Sequence, residues 1–134
     1  MTTLMLDTNA VSAIARGREP RLQDLVATRR VCLSALVEAE LRYGLARRPV
    51  HADLRRIIET MLEAVEIRAW HSACARRYGL LRAALEQDGL PLSPVDLLIA
   101  SHAIAEACTL VTADRAFARV PGLQLLDWTA DPGH

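Results

Sequence analysis

Four acidic residues stand where an α/β fold would bring carboxylates together. Asp7 follows the apolar run at residues 4–6, and Asp114 follows a second apolar run. Glu40 falls in the second turn of a predicted helix, and Asp96 opens another. Ligands bind at the carboxyl ends of parallel strands, so we expect these four side chains to converge there. Carboxylates held close together repel each other, which favours binding of a divalent cation.

Three of these acids also have an ordinary structural explanation. Asp7 or Thr8 could cap the helix that follows. Ser93 and Asp96 have the spacing of a capping box. Asp114 is typical of a turn. Taken singly, each residue is explained as well by local structure as by catalysis, and only their joint placement favours a site.

Glu40 is predicted to face the protein interior. It falls within the helical arc defined by Leu36 and Gly44, whereas Glu38 and Arg42 point toward solvent. An ionised Glu is costly to bury unless a cation compensates its charge. That cation could be a metal ion, or the guanidinium group of Arg47, which projects near the same side.

The donor types favour a hard metal ion. Carboxylate oxygens suit Mg²⁺ or Mn²⁺, and Thr112 would place a hydroxyl beside Asp114. The four histidines share no ligand spacing with the acids, so zinc is not favoured.

The composition indicates one folded domain, which we expect to span residues 1–134. Hydrophobic residues make up 51% of the chain and the formal net charge is zero. All 16 basic residues are Arg, which can bind phosphate locally although no global field attracts nucleic acid. The three cysteines form no metal-type pair, and neither a signal peptide nor a membrane span is evident, so a cytoplasmic protein is expected.

Strand-like runs alternate with helical runs, which predicts an α/β fold with a mainly parallel central sheet flanked by helices in three layers. The predicted strands are residues 3–6, 31–33, 65–67, 110–112 and 123–126. The predicted helices are residues 9–15, 21–28, 35–47, 51–64, 70–88 and 94–107, with a turn and short helix at 113–119. Ser34 is expected to cap the third helix, and residues 131–134 are expected to form a loose tail.

With these elements in place, the chain resembles the PIN-domain ribonucleases, specifically the VapC toxins of bacterial toxin–antitoxin pairs. The resemblance covers nearly the whole chain. It depends on four fragments in order: Met5-Leu6-Asp7-Thr8-Asn9, Ala39-Glu40-Leu41-Arg42-Tyr43-Gly44, Asp96-Leu97-Leu98-Ile99-Ala100, and Val111-Thr112-Ala113-Asp114-Arg115-Ala116-Phe117. It continues through Val120-Pro121-Gly122-Leu123 to Trp128.

The resemblance implies a metal-dependent endoribonuclease with Mg²⁺ or Mn²⁺ as cofactor. Its acidic site would be Asp7, Glu40, Asp96 and Asp114, supported by Thr112 and by Asn9. Hydrolysis would leave a 5′-phosphate and a 3′-hydroxyl, with Asp114 positioning the attacking water or helping to hold a second metal.

The resemblance also implies partners. RNA is the expected substrate, and cationic contacts to it would come from surface arginines. The candidates are Arg16, Arg18, Arg47, Arg48 and Arg115. An antitoxin of the VapB type is expected to cover the acidic site, often placing an Arg among the acids. A homodimer is also expected, for which Ile57, Ile58, Met61 and Leu62 could supply apolar helix surface, although core packing is their ordinary use.

Other functions remain open at this point. A receiver domain or an aspartyl-phosphate hydrolase would also place an Asp at a strand end, but both generally use a Lys, and the chain has none. A non-catalytic PIN-like module that acts through antitoxin and DNA complexes is an alternative. A nuclease that cuts DNA would need similar active-site chemistry.

Overall fold

The structure, a computed structural model, describes residues 1–47 and 49–130. The chain begins with β1 (Leu4–Leu6), α1 (Thr8–Arg16), α2 (Pro20–Thr28), β2 (Val31–Ser34), α3 (Ala35–Arg47) and α4 (Ala52–Ala64). It continues with β3 (Glu66–Arg68), α5 (Ser72–Gln87), α6 (Pro94–Ala105), β4 (Thr109–Val111), a 3₁₀ helix (Arg115–Arg119) and β5 (Gln124–Leu126). The predicted α/β alternation is confirmed, with element bounds that differ by at most two residues.

The five strands form one parallel sheet in the order β3-β2-β1-β4-β5. The chain first builds outward from β1 to β3 and then crosses to β4 and β5 on the other side. The change of direction therefore falls between β1 and β4, and in open α/β sheets the ligand crevice forms at such a point. Leu6 pairs with Val111 there, so the residues that follow each strand emerge side by side.

The sheet is apolar because helices cover it. Leu4, Met5, Leu33, Leu110 and Val111 are each 0–1% exposed. On one side α6 packs against β2 and β4, with α5 lying along it, and α1 packs against α2, α3 and α4. Strands that are buried on both faces have continuous hydrophobic sequences. These strands could therefore be recognised in the sequence although they are short.

Local signals set the ends of several helices. Gly17 and Gly89 adopt positive φ angles of 68° and 69° just after α1 and α5, a conformation that costs glycine nothing. Ser93 caps α6 by accepting the Asp96 N–H at 3.3 Å. The N-terminus of α5 was predicted two residues too early, at Trp70. The Trp70 indole instead donates to the Leu98 carbonyl oxygen at 3.0 Å, and the helix starts at Ser72.

The apolar helix surface that was expected to support a homodimer is only partly available. Ile58 and Leu62 are buried in the core, so they contribute no free surface to a homodimer. Ile57 is 41% exposed and Met61 is partly buried against the core. The predicted loose tail at residues 131–134 lies outside the described residues. No helix in the described part of the chain is long and apolar enough to cross a membrane.

A buried polar pair links α6 to the end of β2. Ser34 is the last residue of β2 and its hydroxyl accepts the Leu36 N–H at 3.1 Å, close to the predicted capping role. The same hydroxyl lies 2.7 Å from Nδ1 of His102, and both side chains are 0% exposed. Burial lowers the pKa of His102 below its ordinary value of 6.5, so its imidazole is neutral in the folded protein at neutral pH.

This neutral imidazole predicts a loss of stability in mild acid. Below pH ~6.5 the unfolded chain binds a proton at His102 that the folded protein does not, so the free energy of unfolding falls until the pH reaches the lower folded-state pKa. A His102→Gln variant, which keeps a hydrogen-bonding side chain but cannot titrate, should therefore lose less stability than wild type between pH 7.5 and pH ~5. Urea unfolding at both pH values measures this.

The matched control is His51→Gln, since the His51 side chain is 77% exposed. His102→Gln should lose less stability in acid than His51→Gln does. An unchanged pH dependence in His102→Gln would show that the buried imidazole does not cause the acid sensitivity.

Candidate active site

The four acids predicted from the sequence line a single cleft of about 180 Å³ at the point where the sheet changes direction. Asp7 follows β1, Asp114 follows β4, Asp96 lies in the first turn of α6, and Glu40 lies in α3. Thr8, Asn9, Ile99 and Phe117 complete the lining. The prediction that these acids share one edge of the sheet is therefore confirmed.

Asp7 is the most deeply placed of the acids, with 6% of its surface exposed. Its N–H donates to the Val111 carbonyl oxygen at 3.1 Å, which continues the β1–β4 ladder into the cleft. Its Oδ1 accepts the Ala10 N–H at 2.7 Å and caps α1. The capping explanation is correct, and it leaves the second carboxylate oxygen for other partners.

Electrostatics disfavours the ionised form of Asp7. Burial raises the pKa of Asp7 above its ordinary value of 3.8, and the charges of Asp114 and Asp96 raise it further. Hydrogen bonds from the Thr112 hydroxyl and from the Ala10 N–H act in the opposite direction. A bound cation would therefore stabilise the ionised form of Asp7.

Asp114 and Thr112 form a connected turn at the end of β4. The Asp114 N–H donates to Thr112 Oγ1 at 3.0 Å, and Asp114 Oδ1 accepts the Ala116 N–H at 2.9 Å. Thr112 is 2% exposed, whereas Asp114 is exposed. The turn explanation for Asp114 is also correct, and the turn fixes the direction of its carboxylate into the cleft.

The prediction that Glu40 faces the protein interior is wrong. The residue is exposed at the rim of the cleft, and the buried residues of α3 are Val37, Leu41 and Leu45. The sheet thus covers a narrower stripe of α3 than the apolar pattern suggested. Glu40 Oε1 accepts a hydrogen bond from Thr8 Oγ1 at 2.9 Å. Arg47, the alternative partner, lies with its guanidinium carbon 5.7 Å from the centre of the Tyr43 ring.

Three lining residues were missed as site residues. Thr8 follows Asp7 directly and was considered only as a cap. Ile99 and Phe117 are buried apolar residues whose side chains form part of the wall. Ile99 lies one turn after Asp96, a spacing that could have revealed it, whereas nothing in the sequence distinguishes Phe117 from ordinary core.

The predicted arginines fall in three places. Arg16 and Arg47 line a second groove that shares Thr8 and Glu40 with the cleft. Arg18 and Arg115 are exposed and line neither cavity. Arg48 lies outside the described residues.

The donor set suits a hard divalent cation. Within residues 1–47 and 49–130, no three His, Cys, Asp or Glu side chains are gathered tightly enough to form a closed metal cluster. Mg²⁺ is commonly held by one or two carboxylates and several waters, so a cleft lined by separate carboxylates matches its chemistry. Repulsion of Asp7 by the charges of Asp96 and Asp114 also favours binding of a cation.

Comparisons with known proteins agree with the fold and identify the family. The PIN domain family matches residues 4–123. Ribonuclease VapC2 of Rickettsia felis is 38% identical over 130 residues, covering 92% of this chain and 96% of that protein. The tRNA(fMet)-specific endonuclease VapC of Salmonella typhimurium is 29% identical, covering 96% of this chain and 99% of that protein.

A solved structure is similar over the same length. The crystal structure of VapBC2 from Rickettsia felis, bound to a promoter DNA fragment, superposes with a TM-score of 0.83 at 38% identity, covering 94% of this chain and 98% of that chain. The chain therefore belongs to the PIN-domain family, among the VapC ribonucleases. The predicted resemblance, fold class and enzyme class are confirmed.

Because Asp7 is buried, its ionised carboxylate is predicted to lower the stability of the folded protein. Its folded-state pKa is raised, so above the ordinary value of 3.8 the unfolded chain releases the proton more readily, and ionisation destabilises the folded state. Asp7→Asn keeps a capping side chain without the charge. In EDTA at pH 7 it should therefore unfold at a higher temperature than wild type, and the gain should shrink as the pH falls toward ~4.

Asp7→Ala is the informative comparison, because it removes both the charge and the cap. It should be less stable than Asp7→Asn by ~1 kcal/mol, the usual contribution of a capping side chain. Calorimetry or thermal unfolding followed by circular dichroism measures both variants. Equal or lower stability of Asp7→Asn at pH 7 would contradict the burial cost.

Proposed function

We propose that the chain is the toxin of a toxin–antitoxin pair and hydrolyses RNA phosphodiester bonds with the help of Mg²⁺ or Mn²⁺. The observation that carries this proposal is the convergence of Asp7, Glu40, Asp96 and Asp114 on one cleft at the β1–β4 edge. Family membership supports a ribonuclease, and the acids supply the charge that such chemistry needs.

Asp7, Glu40 and Asp96 are the proposed ligands of one divalent cation, in part through water. When bound, this cation would offset the charge of a phosphate oxygen and acidify a water molecule. Asp7 is the ligand fixed most rigidly, because the Ala10 N–H and the strand ladder hold it. The Thr8 hydroxyl orients Glu40 from the side.

Asp114 is proposed to position the attacking water or to help hold a second metal. Its direction is set by the Thr112 and Ala116 hydrogen bonds, so it need not reorganise when substrate binds. Asn9 lines the same cleft and can donate or accept a hydrogen bond near the phosphate. Attack of water at phosphorus with cleavage of the bond to the 3′ oxygen leaves a 5′-phosphate and a 3′-hydroxyl.

Arg16 and Arg47 are the proposed phosphate contacts, because they line the groove that continues from the cleft. Guanidinium groups bind phosphate in a bidentate manner. Arg18 and Arg115 are exposed further candidates, and Arg48 remains a candidate from the sequence alone.

The substrate and partners are proposed from the relatives. The Salmonella typhimurium relative is specific for tRNA(fMet), so initiator tRNA is the first defined substrate to try. The Rickettsia felis complex contains both toxin and antitoxin, which supports an antitoxin of the VapB type here. A homodimer, a single domain over residues 1–134 and a cytoplasmic location are also proposed. Three buried free cysteines suit a reducing compartment.

A second role is participation in a DNA-bound complex with the antitoxin. The Rickettsia felis complex was crystallised on promoter DNA, and that observation favours this role. It does not require the four acids, so substitutions in the cleft separate it from catalysis.

Replacing one proposed metal ligand should slow cleavage strongly. Asp96→Asn replaces an anionic oxygen with a neutral amide, so we expect at least ~100-fold slower cleavage, equivalent to ~2.7 kcal/mol of transition-state stabilisation. The assay incubates antitoxin-free protein with total RNA and with initiator tRNA, in Mg²⁺ or Mn²⁺ and in EDTA. Sequencing of fragments with 5′-phosphate ends identifies the cuts.

The control is Asp24→Asn, an exposed acid on α2, which should cleave like wild type. Equal activity of wild type and Asp96→Asn, in protein shown to be folded, would reject the catalytic proposal. The same variants on DNA substrates test the remaining nuclease alternative.

Arg16 should contribute to RNA affinity without sequence preference. Arg16→Ala removes one phosphate contact, so the dependence of log Kd on log salt should become shallower by ~0.7 on single-stranded RNA. Arg76→Ala, an exposed arginine on α5, is the matched control. A salt dependence identical to that of wild type would exclude a phosphate contact by Arg16.

A further inference from the structure

The cleft continues along one face of α3. Glu40, Tyr43, Gly44 and Arg47 are spaced by three, four and seven residues, which places them on the same side of the helix. They line a groove of about 290 Å³ whose other walls come from α1 and α4. Because Thr8 and Glu40 line both cavities, the groove opens directly into the acidic cleft.

Tyr43 is presented to this groove as a flat and largely free surface. It is 62% exposed, whereas the Trp and Phe side chains and the other Tyr are buried or partly buried. The Arg47 guanidinium carbon lies over its ring, 5.7 Å from the ring centre, and the cation–π attraction restrains the ring. The guanidinium covers one ring face, so the other can accept a stacked partner.

Gly44 is next to Tyr43, and the fold does not explain why it is a glycine. It lies in the interior of α3, where glycine is less favourable than alanine. A Cβ atom at this position would meet nothing within 4 Å. The missing side chain therefore leaves open space in the groove rather than room for a neighbouring element.

Gly79 provides an internal comparison. It also lies within a helix, α5, and a Cβ atom there would also meet nothing within 4 Å. It lines neither the cleft nor the groove. The two glycines thus have the same local cost but different surroundings.

We propose that Tyr43, Gly44 and Arg47 form a nucleotide subsite next to the cleaved phosphate, in which an unpaired RNA base stacks on Tyr43 and the sugar enters the space over Gly44. This proposal rests on the proposed ribonuclease function and adds the part of the substrate that is recognised. Single-stranded RNA is commonly bound by stacking on aromatic side chains and arginine planes.

Charge and continuity favour RNA as the occupant. Arg16 and Arg47 stand at the groove and can neutralise the phosphates on either side of the stacked base. The floor contains Leu41, Leu45 and Leu54, and the faces of a nucleobase are also largely apolar. An RNA strand that enters the acidic cleft must continue along the protein surface. This groove shares two residues with the cleft, so it is a direct continuation for the RNA.

The test compares four variants by cleavage kinetics on an RNA pool in Mg²⁺ or Mn²⁺. Tyr43→Ala should raise KM about tenfold with little change in kcat, since stacking contributes to binding. Tyr43→Phe keeps the ring and should behave like wild type. Gly44→Ala should raise KM while increasing Tm by ~3 °C, because alanine is the better helix former. Gly79→Ala should give the same gain in Tm with an unchanged KM.

A second measurement detects stacking without cleavage. A short single-stranded RNA pool containing 2-aminopurine is titrated with protein in EDTA, and stacking quenches the fluorescence. Quenching should be strong with wild type and Tyr43→Phe and weak with Tyr43→Ala. Arg42→Ala, on the same helix but paired with Glu38 at 2.9 Å, is the matched control and should quench like wild type.

The outcomes separate this proposal from the proposed function. If wild type quenches the probe but cuts no RNA, the ribonuclease proposal fails and the base subsite stands. If wild type cuts RNA while Tyr43→Ala and Gly44→Ala leave both KM and quenching unchanged, the subsite is wrong and the ribonuclease stands. If these two variants weaken only the complex with the antitoxin, the groove is a protein-docking surface and the subsite is again wrong.

Discussion

The parallel pairing of β1 with β4 is the constraint on which the site depends. Leu6 pairs with Val111, and the Asp7 N–H continues that ladder to the Val111 carbonyl oxygen. This register sets Asp7 beside the Thr112 turn and puts a buried carboxylate close enough to Asp96 and Asp114 to feel their charge. A shift of one residue would turn the Asp7 side chain to the other face of the sheet.

Local and catalytic demands on the acids are compatible because each carboxylate has two oxygens. Asp7 caps α1 and Asp114 caps the 3₁₀ helix, each with its Oδ1 atom. The caps orient the side chains before any ligand binds, which is the arrangement expected when charge stabilisation must be ready in advance. The capping explanation of these residues is therefore correct, and it is compatible with their proposed role in catalysis.

Much of this arrangement could be predicted from the sequence, for physical reasons. Continuous apolar runs ending in an acid predicted buried parallel strands, and Ser93 with Pro94 predicted the start of α6. The exposure of Glu40 could not be predicted, because the width of the buried stripe of α3 depends on how the helix tilts against the sheet. Phe117 was missed for a similar reason: a buried aromatic reveals its neighbours only after packing is known. The proposed roles of the acids and arginines stay predictions.

The Ser34–His102 hydrogen bond has a mechanical consequence for the cleft. Ser34 directly precedes α3, which carries Glu40, and His102 lies on α6, which begins near Asp96. The bond joins the start of α3 to α6, so any change in the spacing of these two elements requires a buried polar pair to separate. Adjustment of the cleft to a ligand is therefore expected to come from side-chain rotation, while the two helices keep their distance.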